Sequence, residues 1–242
     1  MIYIAALIAL FSLAAVRRFS LPLIPILDAD SPNFLWPALL KLNGDRFTHT
    51  AGLNFIYPGF LFLLLRWFAD FRAIVVAQHL FGLAGGLFFL LGWNRLQGLG
   101  FASRFNWLWH RALGLFAAAI YLLSPTPILF EQQIRSEALC LPVQLLSLWL
   151  LCEFIFYRAD RRRMTLYGLG GIASALLLGS LKPSFILSAL FTIVLIILLV
   201  VRWRRSGKFR VFFLGGALLV VLVFVVPERW LAREDRLSRM FL

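Results

Sequence analysis

The chain has 242 residues, of which 62% are hydrophobic and only 14% are charged, and its mean hydropathy is +0.88. Soluble domains carry roughly 45–50% apolar and about 25% charged residues, so this composition excludes a water-soluble globular fold. The net charge of +13 does not indicate nucleic-acid binding, because the basic residues lie in short loops between apolar runs. Basic residues in such loops contact lipid headgroups and orient the chain in the membrane.

The apolar runs follow one another along the whole chain. They cover residues 1–16, 53–69, 73–93, 108–123, 138–157, 167–181, 184–201 and 211–226. At roughly 20 apolar residues per crossing, this length allows about seven or eight transmembrane helices and little else. The pattern therefore predicts an all-α polytopic membrane protein, with residues 1–242 forming a single transmembrane domain surrounded by membrane lipids.

The loops between these runs differ in charge. Three of them are rich in arginine and lysine, namely 94–111, 158–163 and 202–210. Short basic loops stay on the cytoplasmic side of a membrane. Counting crossings from them places residues 124–137, the turn at Lys182-Pro183 and an amphipathic tail at 227–242 outside.

The N-terminal third allows two arrangements. In the first, residues 1–16 cross outward, 17–72 form an outer loop with juxtamembrane helices, and 73–226 supply six further crossings, about seven in all. In the second, residues 53–69 also cross, and the acids of the first loop face the cytoplasm. The arginines at positions 17 and 18 favour the second arrangement, because positive flanks prefer the cytoplasmic side.

Two carboxylates, Asp28 and Asp30, come soon after the first apolar run. Acids at a membrane boundary cost free energy unless they are solvated or used. An Asp-x-Asp pair can bind a divalent cation, or one Asp can serve as the general base for an attacking hydroxyl. The alternative is a helix cap, because Asp is an ordinary capping residue.

A second polar group, with Glu131, Arg135 and Glu137, precedes the apolar run that starts at residue 138. These side chains could orient a phosphate and a polar acceptor. The alternative is local: Ser136 and Glu137 cap a helix, and Arg135 pairs with Glu131 four residues earlier.

Lys182 lies in a tight turn between two apolar runs and has no acid near it in the sequence. A lipid phosphate is a natural partner for a cation held so close to the membrane. The alternative is that Lys182 reaches out to ordinary headgroups. The histidines show no metal-ligand spacing, and we expect His79, in an apolar run, to be a hydrogen-bonded core residue.

The order of these features resembles that of a known family. An acidic first loop is followed by Tyr57-Pro58-Gly-Phe at the start of a short apolar segment. A later apolar run ends at Ser124-Pro125 and leads into a loop with an acid, and a Gly-rich run stops at Lys182-Pro183. This order looks like that of the polyprenyl-phosphate-sugar-dependent glycosyltransferases of the GT-C fold. That group includes the protein O-mannosyltransferases and the lipid A aminoarabinose transferases.

The resemblance implies a seven-helix module with the first-loop acids on the extracytoplasmic face of a bacterial-type inner or plasma membrane, which favours the first arrangement. It implies that Asp28 or Asp30 is the catalytic base, and that the substrate and its lipid phosphate are bound by a further set of residues: Tyr57, Glu131, Arg135, Glu137 and Lys182. The implied partners are a polyprenyl-phosphate-linked sugar and an acceptor protein, lipid or glycan. No cofactor is required, because a lipid phosphate is a fair leaving group, although a divalent cation on the two aspartates stays open.

Members of these families continue beyond a seventh helix, and Lys182 stands where they have arginine. The chain is therefore also consistent with a fragment, a minimal enzyme or a protein that needs a partner subunit. The rival hypothesis is a non-enzymatic subunit for lipid-linked-sugar flipping, transport or assembly. Such a protein would keep a lipid-phosphate pocket without needing a base.

Overall fold

A computed structural model describes residues 1–47, 55–99, 106–204 and 206–239, with side chains as far as residue 227. These residues form ten α-helices: α1 (Ile2–Phe19), α2 (Ser31–Leu42), α3 (Ile56–Phe68), α4 (Arg72–Gly98), α5 (Trp107–Leu123), α6 (Pro125–Gln132), α7 (Glu137–Phe156), α8 (Arg161–Leu181), α9 (Ile186–Trp203) and α10 (Gly207–Arg239). The start of the second apolar run (53–54), parts of two basic loops (100–105 and 205) and the end of the tail (240–242) lie outside the described residues.

Six of the described helices are long and apolar enough to cross a membrane, namely α1, α4, α7, α8, α9 with its preceding turn, and the first part of α10. The pair α5–α6 becomes a seventh if it counts as one span bent by 42°. The bend follows from the sequence, because Pro125 disfavours helical backbone at Ser124 and starts a new helix. The prediction of a polytopic all-α membrane protein is confirmed.

The second apolar run forms only the short helix α3. Its 13 residues reach about 20 Å at 1.5 Å per residue, which is less than the roughly 30 Å of a hydrocarbon core. The helix ends at Ala69, whose φ of 50° lies in the left-handed region, and α3 packs against α2 and α4. The α2–α3 pair therefore forms a small layer against one end of the longer helices.

Close helix packing depends on glycine at the contacts of the long helices. The main contacts run from α4 to α7, from α7 to α8 and from α8 to α9. A Cβ atom on Gly92 of α4 would already touch the backbone of Trp149 in α7 at 3.5 Å, and one on Gly168 of α8 would come within 2.8 Å of the Phe213 ring. Because lipid is as apolar as leucine, such close approach is a main source of helix association in membranes.

The bundle has two chemically different ends. Helices α7 and α8 run in opposite directions, so the start of α7 and the end of α8 meet at one end, together with the first loop and α2–α3. We call this the first-loop end. The loops around residues 158–163 and 202–210 lie at the other end, which we call the basic end.

Candidate functional site

The first loop is tied to the segment after α6 by backbone hydrogen bonds. Ile26 N–H donates to the carbonyl of Gln132 at 2.8 Å, and Ile134 N–H donates to the carbonyl of Ile26 at 3.4 Å. This is a single parallel bridge between Ile26 and Gln133. It holds the two loops side by side, so that residues about a hundred positions apart face one another.

Asp28 is held by the start of α2. Its Oδ1 accepts hydrogen bonds from the backbone N–H of Asp30 at 3.0 Å, the backbone N–H of Ser31 at 2.9 Å and the Ser31 hydroxyl at 2.9 Å. Ser31 is fully buried. Asp28 therefore satisfies backbone N–H groups at the start of α2, whereas Asp30, the residue at the N-cap, makes no capping hydrogen bond through its side chain.

Arg135 joins both aspartates of the first loop. Its Nε pairs with Oδ2 of Asp28, and its Nη2 donates to Oδ2 of Asp30 at 2.8 Å. The Asp28 side chain is 18% exposed and that of Asp30 is 57% exposed, so Asp30 is the more accessible carboxylate. The local pair between Arg135 and Glu131, considered from the sequence, is not formed.

Glu137 and Lys182 form the second ion pair of the site, with 2.5 Å between Lys182 Nζ and Glu137 Oε1. Glu137 is the first residue of α7 and Lys182 follows the last residue of α8. A carboxylate at a helix N-terminus and a cation at a helix C-terminus are each stabilised by the helix dipole. Lys182, which has no acid near it in the sequence, thus receives one from the neighbouring helix.

A cavity of about 280 Å³ separates the two ion pairs. Asp30 and Asn33 line it on the first-loop side, and Glu137 and Lys182 line it on the α7–α8 side. The cluster of Asp28, Asp30, Arg135, Glu137 and Lys182, here named the carboxylate cluster, has one more carboxylate than it has cations. A smaller cavity of about 100 Å³ lies beyond it and is lined by both Glu131 and Glu137.

Tyr57 is a buried residue that helps to hold the bridged loop in place through Gln78. The side chain is 1% exposed, and its hydroxyl accepts a hydrogen bond from Gln78 Nε2 at 2.9 Å. The same amide donates to the carbonyl of Gln133 at 3.0 Å, which links α3 and α4 to the bridged loop. Burial raises the pKa of Tyr57, so the hydroxyl is neutral. The geometry gives Tyr57 a supporting position, whereas the resemblance implied contact with substrate.

Glu131 belongs to a buried cluster of its own. Arg18 Nε and Nη2 donate to its two carboxylate oxygens at 2.7 and 2.9 Å, and His79 Nδ1 lies 2.8 Å from Oε2. Arg18 and His79 are completely buried, and Glu131 is 2% exposed. Arg18 Nη1 also donates to the carbonyl of Leu122 at 2.7 Å. The expectation for His79 agrees with this geometry.

The Arg18–Glu131–His79 cluster ties α1 and α4 to the bend between α5 and α6. This cluster was not predicted from the sequence, where Arg18 was interpreted only as part of a positive flank of the first crossing. A signal was present, because Gln78 and His79 are adjacent polar residues within an otherwise apolar run. Polar residues inside a membrane are expensive and normally have polar partners.

No protein-family model, curated protein or solved structure matches this chain. Among the described residues, no group of three or more His, Cys, Asp or Glu side chains could hold a metal ion. A divalent cation on Asp28 and Asp30 stays a prediction.

Proposed function

We propose that this chain is a membrane glycosyltransferase of the GT-C type, which moves a sugar from a polyprenyl phosphate to an acceptor hydroxyl. In this proposal the chain crosses a bacterial-type plasma membrane seven times, and the first-loop end faces the extracytoplasmic side. The observation that carries the proposal is the meeting of Asp30, Glu137 and Lys182 around one cavity at an end of the bundle. A base and a phosphate-binding cation within reach of lipid are what this transfer requires.

Asp30 is the proposed general base. Asp28 is occupied, because one of its oxygens accepts three hydrogen bonds and the other pairs with Arg135. Asp30 is more exposed, lines the cavity and contacts Arg135 through Oδ2. A candidate base must reach the proton that it abstracts, and only an accessible carboxylate can do so. Asp28 and Arg135 then position Asp30.

Lys182 is the proposed ligand of the lipid phosphate. A lysine ammonium has three N–H donors, and Glu137 accepts one of them, which leaves two for phosphate oxygens. The acceptor oxygen attacks the anomeric carbon and passes its proton to Asp30. The bond between that carbon and the phosphate oxygen breaks, and the phosphate takes the electron pair. The proton that Asp30 accepts neutralises the excess negative charge of the carboxylate cluster while negative charge develops on the leaving phosphate. The repulsion between these charges is thereby reduced, which stabilises the transition state electrostatically.

The test is release of polyprenyl phosphate from a panel of polyprenyl-phosphate hexoses and pentoses. The purified protein is reconstituted in liposomes, with bacterial membrane extract as a mixed acceptor. We expect Asp30→Asn to lower the rate by about 10²- to 10⁴-fold, the usual contribution of a general base. Asp45→Asn is the matched control, because Asp45 is an exposed acid of the same loop outside the cluster.

Two outcomes would count against the enzyme. One is that no sugar of the panel is consumed. The other is that Asp30→Asn and Asp45→Asn release polyprenyl phosphate at equal rates. Transbilayer movement of the lipid-linked sugar that survives Asp30→Asn, without any transfer, would favour the flippase hypothesis. Lys182→Gln should weaken the binding of polyprenyl phosphate in either case, because both hypotheses need a phosphate ligand.

A further inference from the structure

A larger cavity lies at the basic end, between α8 and α10. Its volume is about 780 Å³, and it has two arginines, Arg161 and Arg162, at its mouth. The rest of the lining is almost entirely apolar and includes Leu166, Gly170 and Phe212. It is far from the carboxylate cluster, because the whole length of α8 separates Arg161 from Lys182.

The groove opens away from the bundle. Leu166 is 67% exposed and Phe212 is 68% exposed, so the two side chains line the sides of the groove but do not close over it. The groove is deep at Gly170 and Ala173, because neither residue has a side chain large enough to fill it. A groove on the outer face of membrane-spanning helices is in contact with lipid rather than water, and its shape favours a narrow apolar occupant.

The depth of the groove matches one leaflet. From Arg161 to Ala173 the helix rises by about 18 Å at 1.5 Å per residue. Half of a typical hydrocarbon core is about 15 Å. The groove therefore runs from the headgroup region to about the bilayer centre, as an acyl chain does. A packed transmembrane helix would need a complementary surface along the full span.

The two arginines at the mouth have no carboxylate partner among the described residues. The nearest acid in sequence, Asp160, is already engaged: its Oδ1 accepts the backbone N–H groups of Arg162 and Arg163, and its Oδ2 lies 3.5 Å from Arg163 Nε. The loop at 202–210, which lies at the same end of the bundle, contains no acid that could pair with them. Its Arg204 and Arg210 direct their guanidinium groups to backbone carbonyls. The mouth of the groove therefore carries unneutralised positive charge.

We propose that this groove binds one anionic phospholipid, with an acyl chain between α8 and α10 and its phosphate at Arg161 and Arg162. Guanidinium groups bind phosphate through paired N–H donors. Zwitterionic lipids are disfavoured, because their headgroup cation would face two basic loops. The proposal is independent of the glycosyltransferase reaction, since it uses other residues at the other end of the bundle.

The test is lipid retention measured by native mass spectrometry of the purified full chain, with phosphatidylglycerol or phosphatidylcholine added in graded amounts. A basic residue near an anionic surface strengthens binding roughly fivefold, so Arg161→Gln/Arg162→Gln should weaken phosphatidylglycerol binding about 30-fold. The matched control is Arg17→Gln/Arg66→Gln, which removes the same charge from exposed arginines outside the groove and outside both basic loops. We expect this control to bind phosphatidylglycerol nearly as well as the unaltered protein.

A second variant, Ala173→Leu, fills the floor of the groove without changing any charge, and it should also weaken phosphatidylglycerol binding. Unchanged circular dichroism and elution volume identify variants that fold normally. Equal retention of the two lipids by the unaltered protein would overturn the proposal. So would an Arg161→Gln/Arg162→Gln variant that binds like its control, or normal binding by Ala173→Leu. A dimer that Ala173→Leu dissociates would instead assign the groove to a second copy of the chain.

Discussion

Replacement of Arg18 by methionine tests the buried cluster that joins α1 to the bend between α5 and α6. Methionine keeps an unbranched apolar side chain but is shorter than arginine and cannot donate hydrogen bonds. The substitution leaves the Glu131 carboxylate buried with His79 as its remaining partner, and it removes the donor that satisfies the Leu122 carbonyl. That carbonyl lies next to the end of α5, where helical carbonyls lack partners within the helix.

The expected magnitude follows from burial. Breaking a buried ion pair by removing one partner costs about 3–5 kcal/mol, because an uncompensated charge stays inside. The double variant Arg18→Met/Glu131→Gln removes that charge and keeps an oxygen for His79. Its remaining defect is the unpaired Leu122 carbonyl, worth about 1–3 kcal/mol. The double variant should therefore be more stable than the single one by about 2 kcal/mol.

The assay is unfolding in mixed detergent micelles with increasing dodecyl sulfate, followed by circular dichroism and by the fluorescence of the 8 tryptophans. Arg17→Met is the matched control, because Arg17 is the exposed neighbour of Arg18 on the same helix, and exposed substitutions usually change stability by less than about 0.5 kcal/mol. A loss below about 1 kcal/mol for Arg18→Met would refute the reasoning. A double variant that is no more stable than the single one would do the same.

Two further substitutions test the packing and the support of the site. Gly82→Ala should destabilise the protein by about 1–3 kcal/mol, because a Cβ atom there meets the Glu131 carboxylate. The control Gly59→Ala, in open space on α3, should be neutral or slightly stabilising. Equal unfolding midpoints for the two variants would contradict this prediction. Tyr57→Phe should cost about 1 kcal/mol through the lost Gln78 hydrogen bond. Because burial raises the pKa of Tyr57, its hydroxyl should stay neutral at pH 11, and the same variant should leave the phenolate absorbance of the protein unchanged at that pH. If the variant instead lost the part of this absorbance that belongs to one of the 5 tyrosines, Tyr57 would ionise normally.

The residues around the cavity were largely found from sequence, but their partners were not. Asp30, Glu137 and Lys182 each stand out as charges at the edge of an apolar run, where placement is costly. One of the two interpretations of the sequence paired Arg135 with Glu131 four residues earlier, as on a continuous helix. Helix α6 ends at Gln132, between the two residues, and the bridge to Ile26 directs Arg135 towards the aspartates instead.

The sequence by itself determined the class of the protein and the position of its apolar helices, because bilayer thickness imposes a length and a composition that can be read locally. Tertiary structure alone decided which charges meet. Arg18 finds Glu131 across 113 positions, and Lys182 finds Glu137 across 45. Such pairs depend on which helix ends lie together and on where a helix bends. Hydrophobic periodicity carries neither kind of information, since it records that a residue faces the interior but not what it faces there.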